Sequence, residues 1–475
     1  MDPFNKLPPE IRTEIFVSTW CPRTNLHLIQ ASPVMLQQYT ASKEYIARKL
    51  LDSEFDNGMM QDAMAIILFP LESAADFKTL ACHHCRSWAA QQFPNPLHQP
   101  LDRRNQDLIS KIRKLHKVLM FYIEDYITKA TAVFPPREYL CLSSPTEPQL
   151  RFKGQAICSR FNAANLTCPE RKRLLRAFLR YQLNSLMHRG LQTRFQEALY
   201  QHNGENFQLW DLHAILCVGR YLKTLYAAMF AQCGDSWLPE VIPGSDSPQP
   251  HDLLYPDILY VQPSVYASDL GCKGSCVAQS LSNYGFDLVT VLLQSARAGQ
   301  SGRDRLKKWL MDIPTGDWAW RDTHYRKRGR ESLSAVKEES QNGPGMYRML
   351  HSRLVPEYFT ITATYQQRAW VFFDDARLYP SPSPDAKPHF PTEDEAFDER
   401  YQSTRKDEDW WDHPWKARAR HRSQKWHNEQ RGISPAKTMI EDYQDSELEK
   451  ECQVSLPDVD VVNGKLLSPP RRFWQ

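Results

Sequence analysis

Apolar residues recur at spacings of three and four along four long segments of the chain, separated by polar residues. The segments are residues 108–126, 170–188, 209–229 and 277–293. This spacing places the apolar side chains on one face of a helix, so each segment is predicted to be an amphipathic helix. Gly285 weakens the prediction for the last segment, because glycine is a poor helix former. No repeat of fixed period is present, so the pattern predicts an irregular, mostly helical body.

The N-terminal fifty residues show the same pattern in three shorter pieces. Pro8 and Pro9 suit the first turn of a helix, where a missing amide group leaves no hydrogen bond unmade. Ser32 and Pro33 mark the start of a third helix. Three short helices bury little surface alone, so we expect a partner to cover an apolar stripe here. The apolar positions of the first two pieces are Leu7, Ile11, Ile15 and Phe16, then Leu26, Leu28 and Ile29.

The order of these residues resembles an F-box. The resemblance is carried by Leu7-Pro8-Pro9-Glu10-Ile11, the second leucine-rich helix, and Ala31-Ser32-Pro33. Many F-boxes carry a Trp after the central Ser-Arg, whereas here Pro33-Val34-Met35 follows Ser32, a variant similar to that of uncharacterised fungal F-box-like proteins. The resemblance implies docking onto the Skp adaptor of a cullin–RING ubiquitin ligase. The residues implied to contact the adaptor are Leu7, Pro8, Ile11, Ile15, Phe16, Leu26, Leu28 and Ile29.

Three later segments, residues 168–183, 209–215 and 368–378, are similar to segments of the same fungal group. The expected fold class is therefore mainly α, with an F-box-like module of three helices at residues 1–50. A helical body at residues 51–378 would recognise a substrate, and a tail would occupy residues 379–475. Within the body, residues 239–263 are predicted to be a loop and residues 358–365 a possible strand.

The tail differs from the body in composition. Five prolines fall within residues 380–391, an acidic block covers residues 393–412, and a basic block covers residues 416–431. Such segments contain too few apolar residues to offset the entropy lost on ordering, so the tail is predicted to be largely disordered. Tryptophans interrupt the charged blocks. They could anchor a short binding motif or belong to a surface helix.

Composition excludes several classes of function. A net charge of +3 over 475 residues is too small to indicate nucleic acid by itself. No apolar run approaches the length that spans a bilayer, and no secretion signal is recognisable, so no membrane partner is expected. Eleven cysteines without regular spacing fit reduced thiols, which predicts a cytoplasmic or nuclear protein.

Side chains that could carry chemistry are few. Cys82, His83, His84 and Cys85 are the only dense group of possible zinc ligands, but four adjacent residues cannot all converge on one tetrahedral ion. No metal site or cofactor is therefore predicted. Asp374 and Asp375 form a carboxylate pair next to Arg377, and surface ion pairs are the simpler explanation. The nucleotide-binding, hydrolase and metalloprotease motifs are missing.

The sequence thus favours a protein that binds rather than catalyses. The leading hypothesis is a substrate adaptor whose partners are a Skp-type adaptor, a cullin complex and an unknown protein substrate. A second hypothesis is a structural or regulatory helical protein in which residues 7–29 are buried internally. An enzyme of unrecognised type is the third, because active sites are built in space rather than along the sequence.

Overall fold

A computed structural model describes most of the first 313 residues and a few later segments. The described residues are 2–19, 22–71, 76–98, 102–132, 135–145, 147–191, 209–234, 236, 238, 263–266, 271–297, 299–313, 366–378, 456–457, 459–460, 465–466 and 472. These residues are mainly helical, which confirms the predicted fold class. The expected loop at 239–263 lies almost entirely outside them, the expected strand at 358–365 lies wholly outside, and so does most of the tail.

The described helices begin with three in the N-terminal module and continue through the body. They are α1 (Pro9–Thr19), α2 (Pro22–Ala31), α3 (Pro33–Glu54), α4 (Asn57–Ile67), α5 (Phe77–Ala89), α6 (Arg103–Ala130), α7 (Pro135–Leu140), α8 (Cys168–Leu191), α9 (Leu209–Cys233), α10 (Gly271–Ser282), α11 (Gly285–Arg297), α12 (Gly299–Asp312) and α13 (Asp375–Leu378). Short 3-10 turns cover Pro3–Lys6, Ala163–Asn165, Pro263–Tyr266 and Trp370–Phe372.

Helices α6, α8 and α9 confirm three of the four long predicted helices. Each is a few residues longer than the apolar period. Asp102 begins α6 by accepting a hydrogen bond from the Arg104 amide at 3.0 Å. Together with α4, α10, α11 and α12, these helices enclose the main apolar core.

The fourth predicted helix, residues 277–293, is wrong as a continuous element. The chain forms α10 and α11 with a break at Gly285, whose φ is +67°. A side chain at this position would also collide with α8, because a Cβ would lie 2.6 Å from Gln182 Oε1. Glycine at this position therefore allows α8 and α11 to cross closely. The helical period of the sequence did not predict this crossing.

A small antiparallel sheet, which the sequence did not predict, follows α7. Its strands are β1 (Leu142–Ser143), β2 (Gln149–Phe152) and β3 (Gln155–Ser159), in that order across the sheet. The β2–β3 turn uses Lys153 and Gly154, both with positive φ.

A buried segment, Gln366–Phe373, inserts into the body and is followed by α13. Arg368 donates hydrogen bonds to the carbonyls of Ala130 and Ala132, at 3.2 and 2.9 Å, near the end of α6. Arg173 of α8 donates to the Phe372 carbonyl at 2.7 Å. The core therefore requires residues that lie far along the chain from the helices they contact.

Part of the C-terminal region also contacts the body. Strands β4 (Val459–Asp460) and β5 (Lys465–Leu466) pair with each other. The Trp309 indole donates to the Pro457 carbonyl at 2.7 Å. Arg472 donates to the Phe69 and Pro70 carbonyls, each at 2.6 Å. Apart from a few such positions, residues 379–475 lie outside the described part of the chain. The disorder predicted for them therefore stays a prediction.

One described helix is long and apolar enough to cross a membrane, which the sequence pattern did not predict. Within α9, residues 213–233 reach a mean hydropathy of 1.2, and 78 % of the most apolar window is buried inside the protein. Contacts with α8, α10, α11 and α12 surround this helix. Its apolar composition is that of a central core helix.

Candidate docking module

The N-terminal module has a small core of its own. Phe16 of α1 packs with Met35 and Ile46 of α3, and all three side chains are buried. The Phe16 ring lies 5.4 Å from the Tyr39 ring, measured between centroids. Asn25 of α2 donates to the Phe16 carbonyl at 3.3 Å, which joins the end of α1 to α2. The three helices therefore form a closed unit beside the main core.

The break at Ser32 is confirmed as the cap of α3. The Ser32 hydroxyl accepts a hydrogen bond from the Met35 amide at 3.1 Å, which is the usual contact of a helix N-cap. The same hydroxyl donates to Asp2 at 2.6 Å, and Asp2 also accepts from the Phe4 amide at 2.9 Å. These bonds lower the pKa of Asp2 and attach the N-terminal turn to α3.

The structure divides the predicted adaptor-binding residues into three groups. Ile11 and Leu26 are 48 % and 51 % exposed, and Pro8 is also exposed. The partly buried residues are Leu7, Ile15, Leu28 and Ile29. Phe16 is 0 % exposed, so its assignment to an accessible stripe is wrong: α3 covers the side of α1 on which Phe16 lies.

Two further exposed apolar residues on α3 were not predicted. Leu36 is 48 % exposed and Tyr45 is 43 % exposed, with the Arg48 guanidinium 5.3 Å from the Tyr45 ring. Leu36 follows the buried Met35 directly, so it falls outside the three-to-four spacing that marks the inner face of α3. The available sequence signal was that Met35 and Leu36 are successive apolar residues, of which only one can fit the apolar spacing of the inner face.

Helix α3 joins the module to the body. Its last turn enters the main core through Leu51, and Phe55 follows in the same core. Glu44 pairs with Arg113 of α6 at 2.8 Å, and Glu54 pairs with Arg171 of α8 at 3.2 Å. One continuous helix therefore contributes side chains to both cores.

Helix α8 continues this ionic framework through the body. Its arginines pair with acidic residues from several other elements: Glu54 at the end of α3, Asp56 before α4, Asp62 in α4, Asp211 in α9, Asp287 in α11 and Asp374 after the buried segment. Asp374 is thus an ion-pair partner, as predicted, but of Arg173 at 2.6 Å. Arg377 pairs instead with the buried Glu170 at 2.8 Å.

The ion pair between Asp62 and Arg180 shows how burial and pairing oppose each other in this framework. Burial raises the pKa of Asp62, while the charge of Arg180 and the hydrogen bond from the Trp88 indole lower it. The Trp88 bond is 2.8 Å long, and Arg180 reaches Asp211 at 2.9 Å. Removing one partner would leave a buried charge without compensation, which is strongly unfavourable.

The group at Cys82, His83, His84 and Cys85 occupies consecutive positions of α5. Successive side chains on a helix point about 100° apart, so they face different surroundings. His83 is exposed, whereas His84 is buried with its Nε2 atom 2.8 Å from the Ala65 carbonyl. Burial raises the pKa of Cys85 to about 12, which disfavours the thiolate that zinc binds. Among the described residues, no group of three or more His, Cys, Asp or Glu side chains could hold a metal ion.

A buried polar cluster lies between α6, α9 and β1. Asp125 pairs with Lys129 at 2.8 Å and accepts hydrogen bonds from Tyr221, at 2.7 Å, and from Ser143. Burial raises the pKa of Tyr221 well above its usual value. The carboxylate is satisfied by these three groups, and the arrangement joins two helices to the sheet.

Comparisons of this chain with protein-family models, with curated proteins and with solved structures gave no match.

Proposed function

We propose that this chain is an F-box-like substrate adaptor. The module of residues 1–50 would bind a Skp-type adaptor of a cullin–RING ubiquitin ligase, and the helical body would bind a protein substrate. The observation that supports this most is the exposure of Ile11 and Leu26, at 48 % and 51 %, on a module whose own core is already closed by Phe16. Apolar side chains left outside a closed core suit recognition by a partner groove.

The connection through α3 suits this role. An adaptor must hold its substrate at a defined position relative to the ligase. The Glu44–Arg113 and Glu54–Arg171 pairs act at two points along α3, and Leu51 adds an apolar contact. A continuous helix fixed at these points transmits orientation better than a flexible linker would.

On this proposal the chain contributes no catalytic residue and no cofactor. Ubiquitin transfer would belong to the other ligase subunits, and the protein would act in the cytoplasm or nucleus. The second hypothesis, a structural or regulatory protein with residues 7–29 buried internally, requires Ile11 and Leu26 to be covered. Their exposure favours docking over that alternative.

The test uses two exposed apolar residues that differ mainly in position. Ile11→Asp places a carboxylate on the module, and Leu80→Asp places one on α5 of the body, where Leu80 is 47 % exposed. Tagged full-length variants are purified from cells and probed for the Skp-type adaptor and the cullin. Ile11→Asp should lose both, because burying an unpaired carboxylate in an apolar groove costs at least several kcal/mol, whereas Leu80→Asp should retain both.

Circular dichroism serves as the control for folding, and both variants should keep the wild-type helical signal. Phe16→Asp is unsuitable for this test, because it places a charge in the module core. Retention of adaptor and cullin by Ile11→Asp and by Leu26→Asp would overturn the proposal.

A further inference from the structure

The C-terminal region of the chain attaches to the body at the end of α4. Arg472 donates one hydrogen bond to the Phe69 carbonyl and one to the Pro70 carbonyl, each at 2.6 Å. These two acceptors directly follow Leu68, the residue that caps α4. The end of a helix carries partial negative charge, which favours a cation there. Arg472 is thus a polar anchor that holds its part of the chain against the end of α4.

Three exposed leucines lie beside this anchor. Leu68 precedes the two acceptor residues, and Leu71, which is 54 % exposed, follows them. The third, Leu80, lies on α5 one turn after Phe77, whose ring is 6.5 Å from the Phe69 ring between centroids. Residues three apart on a helix are neighbours on its surface, so Leu80 borders the same corner between α4 and α5. Leu68, Leu71 and Leu80 are the corner leucines.

The residues next to the anchor suit an apolar surface. Phe473 and Trp474 follow Arg472 directly, and two extended residues span at most about 7 Å, so both rings are within reach of the corner leucines. Aromatic side chains bury roughly 150–250 Å² each, more than enough to cover exposed leucines. Pro469 and Pro470 lie just before the anchor and restrict the backbone, so ordering this segment loses less entropy.

Attachment at Arg472 also gives this segment an advantage over a free partner. A group tethered beside its binding surface has an effective concentration on the order of millimolar. A separate protein would have to displace the tethered segment before it could occupy the corner leucines. The anchor therefore favours the chain's own residues as the occupant of this surface.

We propose that Phe473 and Trp474 dock on the corner leucines, with Arg472 as the polar anchor. The C-terminal region then forms a strap that covers the apolar corner between α4 and α5. This surface belongs to the body and does not depend on the docking function of the N-terminal module.

The test is hydroxyl-radical footprinting of the full-length protein with mass spectrometry, which measures the oxidation rate of each side chain. Trp474 should be oxidised severalfold more slowly in the native protein than in urea. Arg472→Met removes the anchor and should raise the oxidation rates of Trp474 and Leu71 together. Leu71→Asn should also raise the rate of Trp474, since it weakens the apolar surface without adding a charge that could pair with arginine.

Arg305→Met and Leu36→Asn are the matched controls, because both residues are exposed and lie on other helices, α12 and α3. Neither should change the oxidation rate of Trp474. The double variant Phe473→Ser and Trp474→Ser should raise the oxidation rates of the corner leucines and leave that of Leu36 unchanged.

Oxidation of Trp474 at the same rate in the wild type, in Arg472→Met and in Leu71→Asn would overturn the proposal. Protection of Trp474 that weakens on dilution would assign the corner leucines to a second copy of the chain, and it would overturn the proposal equally. Protection that is independent of protein concentration and lost in both variants would support it.

Discussion

Replacing Gly285 with alanine tests how α8 and α11 cross. The φ of Gly285 is +67°, and this backbone conformation costs an L-residue about 1–2 kcal/mol. A Cβ would lie 2.6 Å from Gln182 Oε1 and 2.9 Å from the Ser185 Cβ, so Gln182 must move. Gln182 accepts from the Phe286 amide at 2.7 Å, and an unpaired buried amide costs about 1–3 kcal/mol more. The total expected loss is about 2–5 kcal/mol.

Gly299→Ala is the matched control for this substitution. Gly299 has nearly the same φ, +68°, but apart from its chain neighbours and the backbone of its own helix, no atom lies within 4 Å of the position that a Cβ would take there. It should lose only the backbone contribution, about 1–2 kcal/mol. The entropy that alanine removes from the unfolded chain is common to both variants and cancels in their difference.

The measurement compares the two variants by thermal unfolding and by hydrogen exchange of the α11 amides. Gly285→Ala should melt at a lower temperature than Gly299→Ala and should expose α11 to exchange first. Equal losses in the two variants would mean that the contact with Gln182 contributes nothing, and the close crossing of α8 and α11 would then be refuted.

Burial and charge lead to three further predictions. Phe16→Ala should destabilise the module by about 3–5 kcal/mol, whereas Ile11→Ala should change its stability little, as protease sensitivity of the N-terminal region would reveal. Burial, with a smaller effect of the Arg171 charge, lowers the pKa of His116 from 6.5 to about 4. Between these pH values the folded state therefore binds fewer protons than the unfolded state. As a result, the free energy of unfolding has its full value above pH 6.5 and falls by up to about 3 kcal/mol as the pH drops to 4. His116→Phe should flatten this part of the stability–pH curve. Adding a chelator should leave the melting curve unchanged, because Cys82, His83, His84 and Cys85 face different surroundings on α5. A protein that carries stoichiometric zinc, and that loses stability when a chelator removes it, would contradict this prediction.

The long helices were predictable because each follows one strong period. Helix α6 covers Arg103–Ala130, and the apolar period predicted residues 108–126 of it. The break at Gly285 was not predictable in the same way, because its cause lies on another helix, at Gln182. Likewise, the strands β1–β3 are two to five residues long, and the alternation of polar and apolar residues in β2 covers only four positions, the shortest run that indicates a strand.

The exposure of the proposed adaptor-binding residues was predictable only in part. Ile11, Ile15 and Phe16 all satisfy a helical spacing, and the sequence cannot say which side of a short helix faces its neighbour. The position of α3 decides this, since it buries Phe16 and leaves Ile11 exposed. The ion pairs of α8 depend on contacts over long sequence separations, as between Arg173 and Asp374. Residue types alone do not specify such partners.

The late position of the buried segment Gln366–Phe373 affects how the chain folds during synthesis. The core of the N-terminal module is complete once α3 has emerged from the ribosome, whereas the body must wait for Phe373. About 320 residues separate these two points, and at roughly 5–20 residues per second their translation takes about 16–64 seconds. During that interval the nascent chain carries a finished module on an unfinished body. Chaperones that shield apolar helices would have to hold the body during this interval, while the N-terminal module has already closed its own core.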